Sequence, residues 1–264
     1  MARSALLNVM VQAAMKAGRG LVRDFGEVQN LQVSRKGPAD FVSNADLKAE
    51  KIIHEELKLA RPDYGFLMEE GGSEKGVDPQ HRWIVDPLDG TTNFLHGIPI
   101  FAVSIALERD QQIVAGVVYN PALDELYVAE RGTGAFLNDR RMRVAGRSNL
   151  GETVIATGIP FMGHGDHSRH LREQNAMMGS VAGIRRMGAA ALDLAYVAAG
   201  RFDGFWEHDL KAWDMAAGII LVRESGGLVS DLDNNQMMFD NANIVAGNER
   251  IHRDLLRIVN KASA

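Results

Sequence analysis

The chain reads as an α/β protein of the layered, α+β kind, and three features of its hydropathy pattern predict this. Apolar residues at helical spacing run through the first sixty positions. Short apolar runs separated by polar turns fill residues 64–137. After Gly151, strand-like and helix-like segments alternate. Strands followed by helices in each half imply sheets layered with helices between them. One unit over residues 1–264 is expected, with approximate halves 1–150 and 151–264.

Taken in order, Leu6, Leu7, Met10, Val11, Ala14 and Met15 define an amphipathic first helix. Arg3 ahead of an apolar stretch has the look of a weak signal peptide, but Asn8, Gln12 and Lys16 interrupt it and favour the helix. A second helix starts near Ser43 and carries Leu47, Ile53, Leu57 and Ala60 on one face. Segments 65–68 and 83–85 read as strands. The longest apolar run, 98–107 apart from Ser104, reads as a buried strand. Its part 102–107 opens an antiparallel meander with 113–119, 125–128 and 134–137. Beyond Gly151 come a strand (153–158), a small-residue helix (189–199), a strand (202–207) and an apolar helix (215–224) stopped at Gly226-Gly227. Short strands near Leu228 and Asn243 precede a last helix from about Arg250.

Composition excludes several functions. The 264 residues carry a net charge of -5, so no global positive field favours direct nucleic-acid binding. The chain has no cysteine, which removes disulfides, thiolate metal sites and a cysteine nucleophile. A cytoplasmic location is the simpler expectation. No run approaches the roughly 18 apolar residues of a membrane span, and no membrane partner is expected.

The chemistry concentrates in Trp83-Ile84-Val85-Asp86-Pro87-Leu88-Asp89-Gly90-Thr91-Thr92-Asn93. Two carboxylates three residues apart enter a turn forced by Pro87 and Gly90, and two hydroxyls follow. Hard divalent cations take oxygen ligands, and Mg²⁺ typically combines one or two carboxylates with substrate phosphate oxygens. The Gly90-Thr91-Thr92 backbone can turn N–H groups toward an anion. Read alone, Asp-Pro and Asp-Gly are ordinary turn formers.

Other acids are available. Glu69 and Glu70 end an apolar strand before Gly71-Gly72, where acids are usually just solvated. Asp214 reads by itself as a helix N-cap. Asp46 fits a capping box with Ser43. His164, Asp166, His167 and His170 lie in a loop entering a helix, without fixed spacing to a second ligand group, and zinc is not favoured. No nucleophile elbow supports Ser-His-Asp chemistry, and Gly18-Arg19-Gly20 and Gly132-Thr133-Gly134 are turn glycines.

The string D-P-L-D-G-T-T-N after W-I-V resembles the metal-binding signature of the inositol monophosphatase family of Mg²⁺-dependent, lithium-sensitive phosphatases. W-D-x-A-A-G at 213–218, followed by Gly226-Gly227, matches its second signature. Lys36 through Asp46 is similar to its K-x-x-x-D-x-V-x-x-x-D pattern. The resemblance runs from Lys36 to the final helix and fits the bacterial inositol-1-monophosphatase branch best.

That resemblance implies an αβαβα sandwich of the sugar-phosphatase type, with the metal site where the halves meet. It implies direct attack of water on a phosphomonoester, with two or three Mg²⁺ per site. Glu69, Asp86 and the Leu88 carbonyl would hold the first ion. Asp86, Asp89 and Asp214 would hold the second, with Asp86 bridging. Thr91, backed by Asp46, would position or deprotonate the water together with Glu69. Asp46 is alternatively a support for a third metal through water, and Lys36 would lie near the same opening. The amides of Gly90 and Thr91 would hold the phosphate. Glu207, Asp89 and Asp214 would contact the polyol, with the backbone near Ala190 approaching its ring.

Ala189 is a departure, because relatives usually carry Ser or Thr there. The implied substrate is myo-inositol 1-phosphate or a related sugar or polyol phosphate. Fructose-1,6-bisphosphate, histidinol phosphate and adenosine 3′,5′-bisphosphate are runners-up. Family members are commonly homodimers. Some bacterial relatives also act in transcription antitermination, binding a transcription factor and RNA polymerase, and Arg185-Arg186 and Arg140-Arg141 could belong to such a surface.

Overall fold

The apolar stripe of the N-terminus folds as a helix, with Met15 alone turned outward at 37% exposure, contrary to expectation. In the computed structural model, which describes residues 3–27, 33–37 and 40–263, helix α1 spans Ala5–Phe25. The Ser4 side chain caps it by accepting from the Leu7 amide, and Leu7, Met10, Val11, Ala14 and Leu21 are buried. A hairpin then follows where the sequence pattern implied only two helices. Strands β1 (Val33–Gly37) and β2 (Asp40–Ser43) pair antiparallel. Polar Ser34, Arg35 and Lys36 hide β1 from a hydrophobic-pattern reading. Pro38 and Ala39 lie outside the described residues.

Helix α2 (Asn44–Ala60) begins after Ser43, with Asp46 closing a capping box. Its buried stripe is Ala45, Ala49, Ile53 and Leu57, each four residues from the next. Leu47 is off that stripe and 50% exposed, contrary to expectation.

The first large sheet contains β3 (Gly65–Met68), β4 (Gly72–Glu74), β5 (His81–Asp89), β6 (Ala102–Arg109), β7 (Gln112–Asn120), β8 (Glu125–Glu130), β9 (Gly134–Leu137) and β10 (Arg140–Arg141). A short helix, α3 (Thr91–Leu95), separates β5 from β6. The strand order is β10-β9-β8-β7-β6-β5-β3-β4. The meander runs antiparallel from β5 to β9, while β3 lies parallel to β5. The run 98–107 is a strand only from Ala102. Ile98 is 45% exposed, and the chain there folds back so that its amide donates to the Asn93 carbonyl.

The second sheet holds β11 (Val154–Thr157), β12 (Gly183–Arg185), β13 (Gly204–His208), β14 (Leu228–Ser230) and β15 (Asn243–Gly247), in the order β12-β11-β13-β15-β14. Helices α4 (His167–Met178), α5 (Ala190–Ala198), α6 (Ala212–Glu224), α7 (Met238–Asn241) and α8 (Glu249–Ser263) complete the chain.

Packing arranges these in five layers, α, β, α, β, α. Helices α1 and α2 cover the outer face of the large sheet, where Leu7, Ile53, Trp83 and Val117 share one core. Helices α5 and α6 fill the space between the sheets, with Ala102, Leu194, Ile220 and Phe205 in the central core. Helices α4 and α8 back the second sheet around Trp206, Ile251 and Val259. Among the described residues no helix is long and apolar enough to cross a membrane.

The middle layer sits very close to the large sheet. A Cβ on Gly116 of β7 would stand 2.5 Å from Ile220 Cγ2 and 2.9 Å from the Ala217 carbonyl oxygen on α6. Gly116→Ala therefore forces apart a packed interface, which typically costs about 1–3 kcal/mol. Urea unfolding should show a lower midpoint with an unchanged slope. An unaltered midpoint would mean that the layers are looser than described.

Candidate active site

Side chains three residues apart on a regular strand point to opposite faces. Asp86 and Asp89 avoid this because β5 is bulged against β6. Asp86 pairs with Ser104 and Asp89 with Ala102, so three steps on one strand match two on the other. The two carboxylates thereby reach one side and feel each other's charge. The sequence reading placed both in a turn, but they belong to the strand, and the turn comes at Gly90.

Glu69 arrives by register. It follows β3, whose Met68 pairs with Val85, and its amide donates to the Val85 carbonyl at 3.2 Å. The Glu69 carboxylate stands close enough to Asp86 to raise its pKa. Asp214 comes from the first turn of α6. It is not the N-cap: it lies three residues beyond Lys211, whose amide donates to Asp214 Oδ2 at 2.7 Å. A carboxylate at that position reaches back over the helix start, as in a capping box.

Asp89 is gripped by the middle layer. The Ala191 amide at the start of α5 donates to Asp89 Oδ2 at 2.7 Å, and the amides of Ala190 and Leu192 also bond it. A helix N-terminus favours negative charge. The Ala190 backbone thus serves Asp89, a role the sequence reading did not assign to it.

Thr91 Oγ1 lies 3.1 Å from Asp46 Oδ1 and 3.0 Å from the Leu88 carbonyl oxygen, and its single proton serves one of the two. Asp46 is 1% exposed, and its other oxygen accepts from Ser43 Oγ at 2.5 Å. Its contact with Thr91 is therefore direct. Gly90 opens α3 at φ 91°, and a Cβ there would meet the Ile100 carbonyl oxygen at 2.8 Å and Ala189 Cβ at 3.3 Å. Both facts demand glycine. Lys36 lies on β1, and its side chain is outside the described atoms.

The corner opens into a cavity of about 610 Å³, lined by Glu69, Asp214, Glu207 and Lys211 and walled by the loop Gly158 to Gly165. Asp86 stands behind this surface at 2% exposure. Burial first, and then the charges of Glu69, Asp89 and Asp214, push Asp86 well above the usual carboxylate range. Asp89 rises to about 7, chiefly by burial and then by Glu69, against the pull of the Ala191 amide. Asp214 rises to about 8 by burial and then Asp89. Half-buried Glu207, near the end of β13, also rises to about 8, by burial and then by Asp214 and Asp89.

Among the described residues no three His, Asp or Glu side chains already form a ready coordination shell. The acids are electrostatic neighbours, with Glu69, Asp89 and Asp214 each raising the pKa of another. The donors at this corner are carboxylates and one carbonyl, with no sulfur or imidazole, which suits a hard divalent cation.

The histidine loop does not gather into a metal group. Asp166 caps α4, accepting from the Arg169 amide, while His167 Nε2 lies 3.2 Å from the Phe161 carbonyl oxygen. One residue of the site escaped the sequence reading. Asp193 on α5 is 1% exposed, its Oδ1 has no hydrogen-bond partner, and burial, then Glu207 and Asp89, raise its pKa strongly. The available signal was a lone acid inside the apolar run Ala190–Ala198.

The family model for the inositol monophosphatase family matches residues 2–264. The chain belongs to the inositol monophosphatase family. Within this family it is 70% identical over 261 residues to the inositol-1-monophosphatase of Mesorhizobium japonicum, covering 99% of this chain and 98% of that one. It is 44% identical over 260 residues to the Nus factor SuhB of Pseudomonas aeruginosa, covering 96% and 95% respectively. The crystal structure of the extragenic suppressor protein suhB from Bartonella henselae superposes with a TM-score of 0.96 at 65% identity, covering 98% of this chain and 99% of that one. The inositol monophosphatase fold thus accounts for the whole layered arrangement.

The raised carboxylates make stability depend on pH. Without metal, the folded protein holds protons on Asp89 and Asp214 up to about 7 and about 8, whereas the unfolded chain releases them near the ordinary aspartate value of about 3.9. Folding then binds protons across that window, so stability falls as pH rises through it. Melting temperature in chelator should decline from mildly acidic pH toward pH 8. Added Mg²⁺ should restore most at the alkaline end, where protons no longer compete. Equal Mg²⁺ stabilisation at both ends of the range would contradict this account of the corner.

Proposed function

We propose that this chain is a Mg²⁺-dependent phosphomonoesterase that hydrolyses myo-inositol 1-phosphate to myo-inositol and phosphate. The observation that carries the proposal is the buried Asp86 carboxylate beside Glu69, Asp89 and Asp214, at the inner end of a cavity roomy enough for a polyol phosphate. Glu69, Asp86 and the Leu88 carbonyl would hold one cation, and Asp86, Asp89 and Asp214 another, with a third as a further option. When bound, Mg²⁺ supplies an acidified water and neutralises charge on the phosphate and the leaving oxygen.

The remaining roles fall to the chain itself. Thr91, tied to Asp46, orients the attacking water, and Glu69 or Thr91 takes its proton. The amides of Gly90 and Thr91, at the opening of α3, would hold the phosphate. Glu207 and Asp89 accept hydrogen bonds from the polyol hydroxyls, with Asp214 beside them. Ala189 provides no hydroxyl to the ring, so selection rests more heavily on Glu207.

Similarity at 70% to an inositol-1-monophosphatase, against 44% to a Nus factor, favours the metabolic reading. Phosphate release from a panel of inositol 1-phosphate, fructose-1,6-bisphosphate, histidinol phosphate and phenyl phosphate tests it. Inositol 1-phosphate should turn over fastest, chelation should abolish release, and Li⁺ should inhibit. Undiminished turnover in chelator would reject the mechanism.

Two substitutions separate chemistry from recognition. Asp89→Asn should lower kcat by at least about 100-fold for every ester, beyond the loss seen for outer partners of metal ligands. Glu207→Gln should depress kcat/KM for inositol 1-phosphate far more than for phenyl phosphate. An equal loss with both would remove its recognition role.

A further inference from the structure

Strands β11 and β13 are parallel neighbours, and Thr157 pairs with Trp206. One more step in that register sets Gly158 beside Glu207, and paired residues of adjacent strands send their side chains to the same face. Both residues line the cavity. A Cβ built on Gly158 would stand 1.7 Å from Glu207 Oε1, 2.0 Å from its Cδ and 2.6 Å from Oε2. The three nearest atoms all belong to one carboxylate.

This differs from the structural glycines of the fold. A Cβ at Gly76 would strike the Asp63 carbonyl oxygen and the Gly65 amide nitrogen at 2.4 Å. Gly158 also lies outside the left-handed region, so its backbone conformation does not require glycine. The demand for a bare Cα there comes from Glu207. That carboxylate has like charges around it in Asp214, Asp89 and Asp193. The strand end at Gly158 is where it comes to rest.

We propose that Gly158 is a specificity-determining, positioning residue: its missing side chain lets the Glu207 carboxylate lie over the end of β11 and present an oxygen to a polyol hydroxyl in the cavity. The inference rests on the reading of Glu207 as the hydroxyl acceptor. Any side chain at 158 drives the carboxylate toward the neighbouring acids or into the space of the ring. Gly158 has no carboxylate of the metal corner among its nearest contacts, so the chemical step is spared.

The test is a double-mutant cycle on the full chain with Mg²⁺, using Gly158→Ala, Glu207→Ala and the pair. Gly158→Ala should lower kcat/KM for inositol 1-phosphate by about tenfold or more, the scale of one hydrogen bond to a charged group. The loss should appear mainly in KM, and phenyl phosphate hydrolysis should fall far less. In the Glu207→Ala background, Gly158→Ala should add nothing. An equal loss on both esters, or the same loss persisting without Glu207, overturns the proposal.

Should Gly158→Ala lower the melting temperature, the double variant decides. Recovery supports a clash confined to Glu207, and failure to recover overturns it. A Glu207→Ala variant with unchanged substrate choice would sink the underlying reading and this inference with it. A selective Glu207→Ala with a silent Gly158→Ala would sink this inference alone.

Discussion

The Asp86 carboxylate is almost wholly removed from water and has three other acids within its field. Burying even one charge without a partner is expensive, and burying several of the same sign more so. The surrounding layers must therefore hold the acids in place against their own repulsion. Apolar cores on both faces of the large sheet, with Trp83 and Val85 on one side and Ile84 and Ala102 on the other, supply that rigidity. A cation placed among the acids, as proposed, would turn the same arrangement from a strain into a binding site.

Each acid is brought in by a different device. A bulge turns Asp89 to the side of Asp86, a parallel neighbour delivers Glu69, and the first turn of α6 delivers Asp214. The start of α5 steadies Asp89 with backbone amides. The large sheet and the middle helices thus assemble the acidic corner. The second sheet contributes Glu207 and Gly158, which face the cavity from the other side. On the proposed reading, reaction and recognition reside on different layers, so change in one need not disturb the other.

The second sheet is itself braced by a buried polar knot. Glu173 on α4 has no exposed surface and accepts from Trp206 Nε1 at 3.1 Å and Ser263 Oγ at 2.5 Å, with His208 Nε2 3.0 Å away. Burial would raise this carboxyl, but the bonds from His208, Ser263 and Trp206 outweigh it and keep its pKa below the ordinary value. The knot joins α4, β13 and α8 one residue from Glu207. It steadies the strand end that carries Glu207.

Local regularities were legible in the chain by itself. The stripe of α1, the capping box at Ser43 and Asp46, the strand around Trp83-Ile84-Val85 and the apolar helix after Asp214 all follow from spacing within a few residues. The family resemblance also named the acids of the corner from short strings. What tertiary structure decided were relations between distant segments. The hairpin of β1 and β2 lacks an apolar pattern, Ile98 is expelled from a strand by the turn before Ala102, and Asp214 reaches back from inside its helix instead of capping it. Asp193 behind the site and the Glu207 carboxylate occupying the place of a side chain at Gly158 leave no mark in the sequence, because they arise only when separate strands and helices are packed into register. Periodicity reports which face of an element is buried, whereas the meeting of two elements is set by the summed packing of the whole core.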